Sequence, residues 1–421
     1  MEPATSNLDH EADEDVLDLF RTTCCIVGGG PGGAVLALLL ARRGVPVMLL
    51  EAHKDFDRDF RGDTIHPSVL EILDEIGLAE PLHRLRHTKV YGPTIQAASG
   101  PFNPVDLRRL KTRFPYIMLI PQSRFLEFIT EQAGKYPQFR LVMRANVQRL
   151  VEEDGVVRGV RYLGPDGWHE VRALLTVGAD GRFSFVRHLA DFEPIKTSPP
   201  MDVLWFRLPR LPEDPEVTGG AVGGVGRGRI FIALDRYDYW QAGYVFPKGH
   251  YQDLRAQGLD VLRRSITEIE PQFAKHVERL TDWHQLSLLS VESGRCPRWY
   301  KPGLLLIGDA AHVMSPVGGV GINYAIQDAV VAANILAGPL KAGRVDVADL
   351  AEVQRQREWP TRIIQAVQSF ITQRIVANVL RSQQAVRIPW YVRLVFRIPI
   401  LRDLPARLVA FGVRQVHVRD D

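Results

Sequence analysis

One stretch near the N-terminus limits the fold more than any other: "CIVGGGPGGAV", Cys25 to Val35. The run "TTCCIV" leading into it reads as a buried strand, "AVLALLLARRG" after it as a helix stopped by Gly44, and "VPVMLLE" as a second strand. Strand, loop, helix and strand make one βαβ unit, so the chain is of the α/β class. Gly28, Gly30 and Gly33, with Pro31 and Gly32 between them, form GxGxxG in the one context that gives this pattern weight. Glycine permits the tight turn and a close backbone approach, while the helix N-terminus directs free N–H groups and a positive dipole at a pyrophosphate. Glu51 ends the second strand 51 − 28 = 23 residues after the first glycine, where a carboxylate accepts a hydrogen bond from a ribose 2′-hydroxyl. A free hydroxyl there suits FAD or NAD better than NADP.

A second glycine-rich stretch lies almost three hundred residues later, in "GDAAHVMSPVGGVGINYAIQDA", Gly308 to Ala329. It follows the buried strand "GLLLIG" and leads into a helix expected to open at about Ile322. Asp309 therefore sits at a strand mouth, where open α/β sheets bind ligands. Asp309 and His312 resemble an acid–base pair at first sight, yet no serine or cysteine is placed as a nucleophile and no second histidine has metal-ligand spacing. His312 is read as part of a packed turn, Asp309 as a binder, and no metal site is expected.

Between the two loops the pattern changes. "TIHPSVLEILDEIGL" has helical apolar spacing ended by Gly77, and "RLVMRANVQRLVEEDGVVRGVRYLG" reads as a hairpin turning at Asp154 and Gly155. "DVLWFRLP", "GRIFIAL" and "YWQAGYVFP" are strands of a separate middle sheet. The expected division is a disordered acidic leader over 1–20, and a discontinuous nucleotide-binding domain over 21–92, 115–198 and 286–345. A substrate domain over 93–114 and 199–285 and a C-terminal helical region over 346–421 complete it. In the middle sheet Trp205, Arg207, Arg229, Tyr237, Tyr239, Trp240 and Tyr244 are candidates for a wall suited to a flat apolar substrate.

Three motifs in order make the chain resemble the class A flavoprotein monooxygenases, the aromatic hydroxylase family that includes p-hydroxybenzoate hydroxylase-like and ubiquinone-biosynthesis hydroxylase-like enzymes. The first is the GxGxxG loop. In "VGADGRFSFVR", Asp180, Gly181, Ser184 and Arg187 fit the family's DGxxSxxR pattern, and Gly308, Asp309 and Pro316 to Asn323 fit its GD and PxxGxGxN elements. The resemblance implies a glutathione-reductase-like FAD fold with an inserted mixed-sheet substrate domain. It implies that Asp180 and Arg187 lie near the nucleotides and that Asp309 binds the ribityl chain. The loop Pro316, Gly318, Gly319, Val320, Gly321, Ile322, Asn323 would face the flavin ring, with Pro316 also against substrate. Arg124, early in a helix, and Arg61, after the second strand, match family arginines near the FAD phosphates or flavin; His66 and Asp63 are candidates for lining the same place.

The reaction implied is reduction of FAD by NADPH or NADH, addition of O2 at flavin C4a and transfer of one oxygen from the hydroperoxide to an aromatic, quinone-like or lipophilic substrate, by hydroxylation or epoxidation. The flavin carries that chemistry, so no side chain is assigned as catalytic. An isoprenoid double-bond reductase and a non-catalytic flavin-binding protein share the loops. A halogenase does not fit, because "WFRLP" at Trp205 lacks the second tryptophan and the isoleucine of WxWxIP.

Composition excludes other classes. Among 421 residues Lys plus Arg exceeds Asp plus Glu by 52 − 49 = 3, which gives no general attraction to nucleic acid. Three cysteines make no disulfide framework, and an acidic N-terminal stretch is not a signal peptide, so a cytoplasmic monomer or homodimer is expected. From Arg374 to Asp421 nine arginines face three aspartates, a net of 9 − 3 = +6, interleaved with apolar residues. Such a tail suits either peripheral contact with an anionic membrane or packing across the nucleotide-binding domain.

Overall fold

The computed structural model describes residues 16–57, 64–96, 103–214, 220–382 and 398–419. Arg61 and Asp63 lie outside the described residues. The main sheet runs Leu304–Leu306, Trp168–Gly178, Val16–Val27, Val47–Glu51, Phe139–Met143, all parallel. The short strand Tyr300–Lys301 adds antiparallel at one edge. Every parallel neighbour is reached through a helix or an excursion into another layer, which is why these strands read as continuous apolar runs: both faces are covered. In-register pairs Val27 with Leu50, Val27 with Gly178 and Gly178 with Leu306 bring four carboxyl ends to one edge.

The helix Pro31–Arg42 has every residue from Gly32 to Ala41 buried, between this sheet and the helix Gly321–Lys341. Burial of side chains such as Leu36 and Leu38 contributes about 1.5–3 kcal/mol each. The window within Val317–Lys341 that is long and apolar enough to cross a membrane is 78% buried inside the fold, as a core helix is. The hairpin Asn146–Glu153 with Val156–Leu163 turns at Asp154 and Gly155, both at positive φ of 50° and 74°, then pairs antiparallel with Trp168–Gly178.

Three expected boundaries move. The strand expected from Thr22 starts at Val16, inside the expected leader, because the long strand Trp168–Gly178 offers a parallel edge as far back as Trp168. The helix read from Thr64 begins at Pro67, which takes the first helical position, and Thr64–Ile65 is a strand instead. The middle sheet has the order Leu286–Ser290, Met201–Pro209, Tyr239–Pro247, Arg229–Asp235, Ala221–Gly226, Thr94–Gln96. Its edge strand Leu286–Ser290 thus extends past residue 285.

One face of the middle sheet, with Leu204, Phe206, Leu208, Trp240, Ala242 and Tyr244, packs on helices that contribute Leu262, Ile266 and Phe273. The C-terminal region comprises the helix Val347–Phe370, a π-turn over Ile371–Val376, and helices Ala377–Arg381 and Pro399–Phe411. The last helix lies against the helix Pro67–Glu75 of the nucleotide-binding part and sets Ala406 and Ala410 on Leu107 and Leu110. Beyond it Val418 N donates to Glu75 at 2.7 Å and Asn334 Nδ2 to the His417 carbonyl at 2.8 Å. The described part of the tail is therefore bonded to the fold; residues 383–397 of the amphipathic stretch lie outside the described residues.

Candidate functional site

At the first loop the glycines have distinct reasons. Gly28 has φ +106°, and a Cβ there would stand 2.5 Å from the Ala179 carbonyl; one on Gly33 would stand 2.0 Å from Gly28 O. Gly32 lets the helix approach the backbone of Ala325, where a Cβ would meet the carbonyl at 3.1 Å. Gly30 differs: its Cβ would meet nothing nearer than Ala179 O at 3.9 Å, so its requirement comes from the open side of the loop, where the helix N–H groups point. This is a cradle with room for a pyrophosphate. Glu51 is buried, and its Oε2 accepts from Gly29 N at 3.0 Å while Oε1 accepts from His53 N at 3.0 Å. The carboxylate thus fixes the loop from the second strand.

The DGxxSxxR element is a self-contained bracket. Asp180 accepts from Ser184 Oγ at 2.5 Å, Phe185 N at 2.7 Å and Val186 N at 3.0 Å, capping the short helix Phe185–Leu189. Burial pushes the Asp180 carboxyl up despite those bonds. Gly181 sits at φ +87° in the turn between them. Arg187 Nη1 donates to Ala310 O at 3.0 Å and Asp309 O at 3.4 Å, and Nη2 to Arg182 O at 2.8 Å. Arg187 therefore ties the Asp180 turn to the Asp309 turn through main-chain carbonyls.

At the second loop Gly318 and Gly319 have φ of +82° and +63°, a reversal open to glycine, and the helix opens at Gly321, one residue before the expected Ile322. Gly319 O accepts from Thr64 Oγ1 at 3.1 Å and from Asn323 Nδ2 at 3.3 Å. His66 is fully buried beside it, and a Cβ on Gly319 would lie 3.7 Å from His66 Nε2. The Val409 carbonyl lies 2.6 Å from His66 Nδ1, so that nitrogen carries the proton and Nε2 offers a lone pair with no partner among the described residues. An orphaned buried acceptor next to open glycine backbone fits a planar group bearing N–H edges, as an isoalloxazine does.

His312 is packed, as expected, but against groups the sequence reading missed. Its ring is 1% exposed beside Trp299, and Nε2 lies 2.6 Å from Asp328 Oδ2. Asp328 also accepts from Gly308 N at 3.0 Å and, through Oδ1, from Arg357 Nε at 2.7 Å, with both charged side chains at 0% exposure. Burial pushes the Asp328 carboxyl up, but His312 and Arg357 outweigh it and hold the group below the usual carboxylate range. Its position sixteen residues after His312, on the inward face of an apolar helix, was the available signal.

Of the substrate-wall candidates, Trp205, Arg207 and Tyr239 share the sheet face opposite the helical core, because neighbours along a strand alternate. The Arg207 guanidinium stands 5.1 Å from the Tyr239 ring centre. Trp205 packs against the same apolar cluster as Val317 of the second loop. Trp240 is not on that wall: it is 4% exposed in the opposite core, donates from Nε1 to Asp214 at 2.8 Å and meets Phe273 edge-on. Tyr244 faces the same core, and Tyr237 is an exposed turn residue under Arg86. Arg229 donates to the Gly228 carbonyl at 2.9 Å. Arg124 is exposed and pairs with Glu127 at 3.1 Å.

Two glycine cradles at the carboxyl edge of one parallel sheet, with the middle sheet and the later loop packed on one apolar cluster, define a nucleotide-binding flavoprotein of the α/β type. The family model described as an FAD binding domain matches residues 21–365, and the chain belongs to that family, the class A flavin monooxygenases, with FAD as its cofactor. It is 34% identical over 389 residues to 6-methylpretetramide 4-monooxygenase of Streptomyces rimosus, covering 92% of this chain and 91% of that protein. A 12-dehydrotetracycline 5-monooxygenase/anhydrotetracycline 6-monooxygenase of the same species is 30% identical over 277 residues, 63% of this chain and 52% of that protein, so the match spans about half of that relative's length. The solved anhydrotetracycline hydroxylase from Streptomyces rimosus superposes with a TM-score of 0.72 at 25% identity, covering 93% of this chain and 76% of that one.

Proposed function

We propose that the protein is an NAD(P)H-dependent aromatic monooxygenase acting on a flat, multi-ring substrate of the pretetramide kind. The observation that carries this reading is the seating of Trp205 and Val317 against one apolar cluster, which brings the Trp205 face of the middle sheet and the second glycine loop together there. Its near full-length similarity to 6-methylpretetramide 4-monooxygenase supports the choice of substrate.

When bound, FAD would supply the redox chemistry, acceptance of a hydride from the nicotinamide and use of O2 to place one oxygen atom on the ring while the other leaves as water. The chain's own residues bind, orient and exclude water. Gly28 to Gly33 with the following helix would hold the pyrophosphate, Glu51 would accept from ribose as well as from Gly29, and Asp309 would face the ribityl chain. Asp180 and Arg187 act by bracketing the Asp309 turn, and Gly318 to Asn323 with His66 would receive the ring edge. Trp205, Arg207 and Tyr239 would form the substrate wall, and Arg207 over Tyr239 gives that wall a cationic rim suited to an acidic phenol.

The test is direct. Purified protein should be yellow, release FAD on denaturation, and oxidise NADPH or NADH faster with 6-methylpretetramide present, giving a product heavier by one oxygen. A colourless protein that cannot be reconstituted with FAD ends the flavoenzyme reading, and oxygen-independent hydrogenation would turn it to a reductase. Trp205→Ala should raise KM for the aromatic by about tenfold, the loss of ~1.4 kcal/mol of ring contact, with little change in FAD content. An unchanged KM removes the wall assignment.

The loop glycines separate two demands. Gly33→Ala forces a Cβ to 2.0 Å from Gly28 O and should fail to fold. Gly30→Ala has space within the protein, so it should fold with an unchanged circular dichroism spectrum and lose FAD. A Gly30→Ala protein that is purified fully loaded would remove the pyrophosphate from that loop.

A further inference from the structure

The segment that carries the second loop is held from behind by one helix. After His312–Val313 pairs with Ser293–Arg295, the chain leaves the sheet and runs through Pro316 to the glycine reversal. The carbonyls of Val313, Ser315 and Val317, the last two on either side of Pro316 where the backbone leaves the extended conformation, are all met by side chains of the helix Val347–Phe370. Gln365 Nε2 donates to Val313 O at 3.1 Å and Gly294 O at 2.9 Å. Gln368, three residues on and on the same helix face, donates to Ser315 O at 2.9 Å and Val317 O at 2.8 Å. Two amides therefore stand in for the missing partner strand of a segment that has left its sheet.

Gln368 is 3% exposed, and its Oε1 has no partner among the described residues, so the two bonds from Nε2 are what fix it to the loop. An amide is the group this place needs: two N–H donors on one nitrogen serve two carbonyls without bringing a charge beside the loop. Immediately beyond Val317 come the left-handed Gly318 and Gly319, then the helix start at Gly321. Only three residues separate Val317 from the helix start at Gly321, so the place of Val317, together with the Thr64 and Asn323 bonds to Gly319 O, bears on where the first N–H groups of that helix sit.

We propose that Gln368, which lies just past the residues matched by the family model, is a positioning residue for the flavin ring. It sets the place of the Ser315–Val317 backbone and so of the helix N–H groups that stabilise negative charge on the reduced ring. This rests on the flavoenzyme reading for its redox consequence, and on the structure alone for the loop.

The experiment compares Gln368→Met, near in shape but without a donor, with Gln354→Met. Gln354 lies fourteen residues earlier on the same buried face and is bonded to Trp299 N at 3.0 Å and Pro297 O at 2.8 Å, away from the loop. In the apoprotein, amides of residues 314–323 should exchange with deuterium about tenfold faster in Gln368→Met than in wild type, the equivalent of losing ~1.4 kcal/mol of local protection. In Gln354→Met they should exchange as in wild type. With FAD bound, Gln368→Met should shift the flavin reduction potential to more negative values and the visible band with it, and Gln354→Met should shift neither. Should Gln368→Met fail to fold, Gln368→Glu decides the matter: its carboxylate faces two carbonyls at neutral pH, so exchange in 314–323 should be faster than in wild type there, and on lowering the pH to protonate it the rate should return to that of wild type measured at the same pH. Wild-type exchange in that segment for both Gln368 variants, or equal shifts for the Gln368 and Gln354 variants, overturns the proposal. A wild-type protein without flavin ends the flavoenzyme reading and leaves the exchange comparison to decide the role of Gln368.

Discussion

Asp328→Asn should cost about 3–5 kcal/mol of folding stability at neutral pH, among the largest effects of any single substitution in the chain. The carboxylate holds three donors, from Arg357 at 2.7 Å, His312 at 2.6 Å and Gly308 N at 3.0 Å, with no water access to the charged side chains. Asparagine has one acceptor oxygen, so its amide nitrogen must face either Arg357 or the His312 and Gly308 donors. It also leaves the Arg357 charge uncompensated in the core, where two of its nitrogens already lack partners among the described residues. Urea unfolding of the apoprotein measures the loss, and a value under about 1 kcal/mol would contradict the account. Removing both charges together, in Asp328→Asn with Arg357→Leu, should recover part of it, because the cost lies in the unpaired charge. Since the Asp328 carboxyl is held below its ordinary range, its contribution is present above the ordinary aspartate value near ~3.9 and is lost as pH falls through the lower folded value.

The second large effect belongs to His66 and is a matter of acid. Burial pushes its imidazole from 6.5 down to about 4, against the opposing pull of the Val409 carbonyl. Between those two values the unfolded chain binds a proton that the folded chain refuses, so stability rises with pH across that window. The sign is opposite to that of a histidine gaining an anionic partner. The full contribution is present above 6.5 and about 3 kcal/mol is lost by pH 4, from roughly 2.5 units at ~1.36 kcal/mol each. His66→Gln retains a donor for Val409 and cannot titrate there, so unfolding curves at pH 7, 5.5 and 4.5 should show a flatter pH dependence than wild type. An identical slope in the variant would place the acid sensitivity elsewhere.

Much of the fold was legible in the chain because its signals were local. "TTCCIV" with "VPVMLLE" reads as a pair of buried strands since both faces are covered, and Asp154–Gly155 announces a hairpin by backbone chemistry alone. Both glycine loops could be found for the same reason. Arg187 was found by its motif, but its bonds were not: a pattern tells that an arginine is needed and not that it ties two turns together through main-chain carbonyls. That the helix behind the second loop braces it was invisible for a physical reason. In "VQRQREWPTRIIQAVQSF" the polar positions 354, 357, 361, 365 and 368 have the spacing of a solvated face, and in this fold they are the buried one. Trp359 and Phe370, which a sequence reading would turn inward, are 59% and 63% exposed. Periodicity finds a stripe; it does not say which side of the helix the protein lies on when the neighbour offers bare carbonyls rather than apolar side chains. Trp240 failed as a substrate residue by the same ambiguity, since strand alternation divides a sheet into two faces without naming them.

The sheet at the centre of the site takes strands from both ends of a long span, Val16–Val27 beside Trp168–Gly178 beside Leu304–Leu306, and its later loop is braced by Gln365 and Gln368. Synthesis runs from the N-terminus, so the first cradle emerges from the ribosome long before the strands and amides that complete the second. The sheet edge that carries both cradles is therefore complete only once Leu304–Leu306 and the helix behind the second loop have been made.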